Sequence, residues 1–177
     1  MASEKSLHRK IQLILENAAS SSADNISELA AEIEGKKLPN FNTLQYDKKK
    51  DEFLWRQSGR VIRRAVRMCV RLGLLDDRGQ LTKNGRLACR KTQFDSALAE
   101  SIRGILVRDG VAMQSLNNAI AEGLKSDPPI LPTAKALWEA LGSEMRAGDF
   151  SRLLTLLSHC GAAESSQAKV YLRIQAR

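Results

Sequence analysis

Leu7, Ile11, Ile14 and Leu15 recur at helical spacing and predict an amphipathic helix over residues 4–19, which the run Ser20-Ser21-Ser22-Ala23-Asp24-Asn25 ends. Asp24 or Asn25 can cap a second helix that gathers Ile26, Leu29, Ala30 and Ile33 on one face and stops at Gly35. From residue 56 to 72 the period is helical again. Val61, Ile62, Ala65, Val66, Met68, Cys69 and Leu72 line an apolar face, while Arg56, Arg60, Arg63, Arg64, Arg67 and Arg71 fall within an arc of about 100° on the other side. Gly73 is placed to close this helix in the left-handed conformation, and Leu74 and Leu75 re-enter the core. Asp76-Asp77-Arg78-Gly79 then turns into a short strand at 80–82, and Lys83-Asn84-Gly85 makes a second turn.

Between the second helix and the basic one, residues 35–50 are too many for a tight turn. They read as an ordered insertion with Leu38, Phe41, Leu44 and Tyr46 packed down and with Lys48-Lys49-Lys50 available to phosphates. Farther on, Phe94, Leu98, Ile102 and Ile105 or Leu106 align in a helix over 92–107, and a further helix spans 111–124 after Asp109-Gly110. Ser126-Asp127-Pro128-Pro129-Ile130-Leu131-Pro132 is a linker, because consecutive prolines continue neither helix nor ladder. A short helix at 133–141 with Trp138 follows, then a turn over 142–148. Asp149 can cap a helix carrying Phe150, Leu153, Leu154, Leu156 and Leu157; Gly161 closes it, and 168–174 alternates as a strand. The pattern divides the chain into a basic unit at 1–91, connecting helices at 92–125 and a second unit at 126–177.

The stretch Arg71-Leu72-Gly73-Leu74-Leu75-Asp76-Asp77-Arg78-Gly79-Gln80-Leu81-Thr82-Lys83-Asn84-Gly85-Arg86 resembles the recognition-helix-to-wing segment of winged helix-turn-helix proteins, where a leucine-glycine-leucine exit and a leucine-threonine-x-x-glycine-arginine phrase recur. The resemblance covers about residues 4–91, and the element order over about 111–175 echoes it more weakly. It implies a mainly α fold with short β-hairpin wings, as one winged helix-turn-helix or two in tandem. Residues 56–71 would then face the major groove, with Arg78, Lys83, Asn84 and Arg86 on or beside the wing. Gln57, Ser58, Arg60, Arg63 and Arg64 would reach base edges, Gln57 and Arg60 foremost, while Arg67, Arg71 and the wing residues would hold phosphates.

Charge sharpens the picture. Residues 56–91 carry eleven basic and two acidic residues, a balance of +9 against +8 for the whole chain, so the rest sums to about neutral. Like charges at i,i+3 and i,i+4 repel by roughly 0.2–0.5 kcal/mol per pair. No acid lies between Arg56 and Leu75 to relieve them. Every member of the ridge is Arg, whose planar fork binds phosphate bidentately and reads guanine O6 and N7. The expectation is a double-stranded DNA-binding protein, a regulator or the recognition component of a DNA-processing system. A solvated helix whose charge only aids solubility is the plainer reading. The alternative from another class is an adaptor whose tandem winged helices bind protein, as in chromosome-organising complexes. RNA ranks lower, since aromatic residues at 5% leave few stacking platforms.

Residues 92–177 hold nine basic and nine acidic residues, which suits a homodimer or partner-docking role better than a second DNA reader, although Arg146, Arg152 and Lys169 could touch a backbone. Enzyme chemistry is not expected. His8 and His159 are far apart, Cys69, Cys89 and Cys160 lack CxxC pairing, and no metal or cofactor is implied. His159-Cys160 are adjacent on a helix and point about 100° apart, so they do not make a base and nucleophile pair. Glu34-Gly35-Lys36 superficially resembles a nuclease acid-x-lysine pattern, but it closes a helix instead of lying on strands. No glycine-rich nucleotide loop is present. The first residues lack an apolar signal core and no stretch is long enough to span a bilayer, so a cytoplasmic, nucleoid-associated location is expected, with no membrane partner.

Overall fold

A computed structural model of the chain describes residues 6–129, 132–141, 144–165 and 171–174. These residues are mainly helical, with two short antiparallel two-stranded sheets. The chain divides into two compact units, Met1–Phe94 and Asp95–Arg177.

In the first unit, α1 (Leu7–Ala18) is capped by Ser6, whose hydroxyl accepts from the Arg9 amide. Its buried residues are Ile11, Leu13, Ile14, Leu15 and Ala18. Asn25 caps α2 (Ile26–Gly35) by accepting from the Ser27 and Glu28 amides, and the Glu28 carboxylate accepts in return from the Asp24 amide. Such reciprocal pairing satisfies helix-end donors that would otherwise be left to water. A 3₁₀ turn, Pro39–Phe41, inserts the fully buried Phe41 beside α1 and α3. Strands β1 (Asn42–Asp47) and β2 (Glu52–Gln57) follow as an antiparallel hairpin, and α3 (Gly59–Arg71) begins after Ser58. Helix α3 packs on both α1 and α2 and buries Ile62, Ala65, Val66 and Cys69. The expected apolar face of this helix is therefore its core face.

Past α3, Gly73 takes φ +66 as the helix exit requires, and Leu74 and Leu75 are buried. The expected strand at 80–82 is reduced to a single bridge between Leu75 and Leu81. The expected turn at Lys83-Asn84-Gly85 is instead the start of α4 (Lys83–Ala88). The reason is local: the Thr82 hydroxyl caps the helix by accepting from the Gly85 amide at 3.0 Å, and it donates to the Gly73 carbonyl at 2.6 Å. Thr82→Ala removes both bonds. Its expected cost is about 1 kcal/mol, typical of a lost cap, which lowers the thermal midpoint of a unit this size by about 4–8 °C as followed by far-ultraviolet circular dichroism.

The second unit holds α5 (Phe94–Arg108), α6 (Met113–Lys125), α7 (Ala134–Leu141) and α8 (Ala147–His159), followed by β3 (Ala163–Ser165) and β4 (Tyr171–Ile174) in antiparallel pairing. The segment expected to connect the halves, 92–125, thus supplies α5 and α6 to this unit. Helix α6 lies against α7 and β4, and α8 against α7 and β3. Phe150, Leu153, Leu154, Leu156 and Leu157 are buried, and the Trp138 indole donates to the Met145 carbonyl at 2.6 Å. Asp149 lies in the first turn of α8, whose N-cap is Arg146. Residues 1–5, Ile130 and Leu131 of the linker, Gly142 and Ser143 of the turn, and Lys169 with the rest of 166–170 lie outside the described residues. No helix among the described residues is long and apolar enough to cross a membrane.

Candidate nucleic-acid interface

Helix α3 is held rigidly by its buried face, and that determines what its other face can do. Arg60, Arg63, Arg64 and Arg67 are exposed, and Arg71 is half-buried at the C-terminal end. Among the described residues no carboxylate pairs with the four exposed guanidinium groups. At 1.5 Å per residue Arg60 and Arg67 stand about 10 Å apart along the axis. The helix carries no acid in its first turn. One arrives from elsewhere: a Cβ on Gly59 would fall 2.7 Å from both Glu34 carboxylate oxygens, so the bare glycine lets this carboxylate close on the first residue of α3. Negative charge there opposes the positive end of the helix dipole.

Three of the residues expected on the DNA-facing helix stand elsewhere: the ridge member Arg56, and Gln57 and Ser58. The helix starts at Gly59 and not at Arg56, because the preceding six residues pair as a strand with β1. Arg56 therefore lies on β2, with its guanidinium engaged by the Asp47 carboxylate across the hairpin. Gln57 ends β2 half-buried, and its amide reaches the Ile33 carbonyl on α2 at 3.5 Å, so it ties β2 to α2. Ser58 is the N-cap position without a side-chain cap bond, and its amide donates to the Phe41 carbonyl at 3.1 Å.

The residues expected on a wing are exposed, but their setting differs from a projecting loop. Arg78 sits in the turn that the Asp76 carboxylate organises by accepting from the Arg78 and Gln80 amides at 2.9 and 2.8 Å. This turn is tied down. Gln80 donates to the Ala23 carbonyl at 2.7 Å, and Gly79, at φ +81, approaches the backbone of Asn25 and Ile26. Lys83, Asn84 and Arg86 are exposed on α4.

The element that does stand out into solvent is the β1–β2 hairpin, in place of the packed insertion expected from the sequence. Phe41 is packed down as expected and Leu38 is half-buried, but Leu44 and Tyr46 are 51% and 49% exposed. Leu44 faces Trp55 across the hairpin and Tyr46 faces Phe53, and alternation puts all four on one face. Phe53 is 65% and Trp55 56% exposed. The Tyr46 hydroxyl bonds to the Asp51 carboxylate, which, with a smaller desolvation effect, pushes the phenol up from its ordinary value. The missed signal was period-two alternation, with apolar residues at 44, 46, 53 and 55 flanking Asp-Lys-Lys-Lys-Asp.

The chain matches no family model, no curated protein and no solved structure.

What the site can do follows from its own residues. Charge is concentrated in the first unit: all of the +8 lies within residues 1–94, and residues 95–177 balance. Neither Cys69 nor Cys160 offers a thiolate near neutrality. Cys69 is buried on the core face of α3, where desolvation pushes its thiol far up. Cys160 is pushed up to about 12, by burial first and Asp95 second, against the opposing effect of Arg103. Both are protonated near neutrality and so lack the thiolate that attacks.

Proposed function

We propose that the first unit binds double-stranded DNA through the exposed face of α3, with Arg60, Arg63, Arg64 and Arg67 as its main contacts and Arg78, Lys83, Asn84 and Arg86 as flanking ones. The observation that carries this reading is the row of unneutralised arginines on a helix whose opposite face is core. A helix anchored this way cannot turn its apolar side into a bilayer, which speaks against a membrane-surface role. A helix of ordinary diameter fits the roughly 12 Å wide major groove, and guanidinium forks serve both phosphate and guanine edges there. With the β1–β2 hairpin inserted between α2 and α3, the order α1, α2, α3, Leu75–Leu81 bridge, α4 is compatible with a winged helix, in which α3 would be the recognition helix. On this reading Arg60, at the helix start, is the base reader and Arg63, Arg64 and Arg67 lie along phosphates; Gln57 and Ser58 are held at the end of the hairpin and lose the base-reading role.

The test is fluorescence anisotropy of the purified chain with random duplex, single-stranded DNA and duplex RNA across a salt series. Submicromolar duplex binding is expected, with log affinity falling at a slope of about −3 to −4 if four arginines neutralise phosphates at about 0.9 each. No retention near physiological salt, together with a copurifying protein, would place the adaptor reading first.

A further inference from the structure

Of the six large hydrophobic side chains exposed among the described residues, four lie on one face of the β1–β2 hairpin, and three of those are aromatic. An isolated two-stranded ribbon has no layer beneath it to bury such a face, and contiguous exposed apolar surface marks a binding site more often than an accident. We propose that this face stacks unpaired bases of the DNA held by α3, so that the preferred ligand is a duplex bearing a short single-stranded or unpaired segment. The inference rests on the DNA-binding reading above.

Two features select nucleobases as the occupant. Every base offers a π-face to a ring, whatever its sequence. Tyr46 and Phe53 already stand with centroids 5.2 Å apart at a tilt of 53°, extending the Leu44–Trp55 rung into a continuous platform. Lysines stand at one end of that platform, as a phosphodiester chain requires, and the strand at its other end leads into the arginine-bearing helix. At the tip Asp47 pairs with Arg56 and Glu52 with Lys50, while Asp51 keeps its charge and accepts from the Tyr46 hydroxyl; Lys48 and Lys49 are exposed without a carboxylate partner among the described residues, so the tip keeps a net positive charge. At the base, β2 runs through Ser58 into α3, so Arg60 follows Trp55 by five residues. A second copy of the chain fits less well. With rings of roughly 150–250 Å² each and about half exposed, the face offers on the order of 400 Å², half of the roughly 800 Å² per partner that a stable interface uses.

The experiment compares a blunt duplex with the same duplex carrying a short single-stranded tail, for the wild-type chain and for Phe53→Ser combined with Trp55→Ser. Both side chains are exposed, and circular dichroism checks that the double variant folds. The wild type is expected to bind the tailed duplex at least about tenfold more tightly than the blunt one, and the variant to bind both with the blunt-duplex affinity. Tryptophan emission should be quenched by the tailed duplex only, and Trp55→Phe should abolish that quenching. Equal wild-type affinity for the two duplexes overturns the stacking inference and leaves duplex binding standing; failure to bind either overturns both. A wild-type dimer by light scattering that the double variant turns into a monomer reassigns the face to a second copy.

Discussion

Replacing Arg63 and Arg67 together by alanine is expected to weaken duplex binding about 100-fold and to flatten the salt dependence by about 2 units of slope. The first figure takes about 1.5 kcal/mol for each charged hydrogen bond lost, and the second takes about one released counterion per phosphate contact. Folding should move the opposite way. Both side chains are exposed, and among the described residues neither holds an acid. Their removal relieves like-charge contacts with each other, with Arg60, with Arg64 and with Arg71, at roughly 0.2–0.5 kcal/mol per pair, and alanine is the better helix former. A thermal midpoint that holds or rises while affinity collapses is the signature of charge kept for binding at some cost to stability. If affinity and salt slope are both unchanged, α3 is a solvated surface helix and the proposed function is wrong.

Gly85→Ala is expected to destabilise the first unit by about 2–3 kcal/mol, although the residue lies inside α4, where alanine ordinarily gains up to about 1 kcal/mol over glycine. The sign reverses because a Cβ on Gly85 would fall 1.9 Å from the Leu74 carbonyl oxygen. That oxygen cannot step aside cheaply. It accepts from the Thr82 amide at 3.1 Å and shares, at 3.2 Å, the hydroxyl proton that Thr82 gives mainly to the Gly73 carbonyl, and Leu74 is fully buried. The α4 helix and the turn after α3 must therefore separate, which lowers the thermal midpoint by about 10–20 °C in a unit of this size. Gly104→Ala provides the comparison: it is exposed inside α5 with nothing within 4 Å of its Cβ, so the same substitution should stabilise there. Midpoints that rise for both variants would show that no close approach exists at Gly85.

The glycine of the Leu-Thr-x-x-Gly-Arg phrase thus has a physical reason beyond resemblance: it lets the start of α4 touch the exit of α3. The phrase itself was visible in the sequence, but its meaning was not. Lys83-Asn84-Gly85 looks like a turn when read alone, and it is helical because Thr82, held by the Gly73 and Leu74 carbonyls, caps it. The exposed hairpin face is hidden from composition for a related reason. A composition of 5% aromatics argues against stacking platforms when the rings are averaged over the chain, yet three of the eight fall on one ribbon face. Composition counts rings; it does not place them.

By itself the sequence determined the first two helices of the first unit, the cap of the second at Asp24 or Asn25, the αL exit at Gly73 and the opposition of arginine and apolar faces on α3. Each depends on residues within a few positions of one another, and helix period and cap chemistry act over that range. Only the tertiary structure decided where α3 begins, that the turn at 76–79 is pinned to the start of α2, and that Leu44 and Tyr46 face solvent. Those outcomes turn on distant partners: β1 for Arg56, the Ile33 carbonyl for Gln57 and the Ala23 carbonyl for Gln80. An apolar side chain is buried only if another layer of the fold arrives to cover it, and for the hairpin face none does among the described residues.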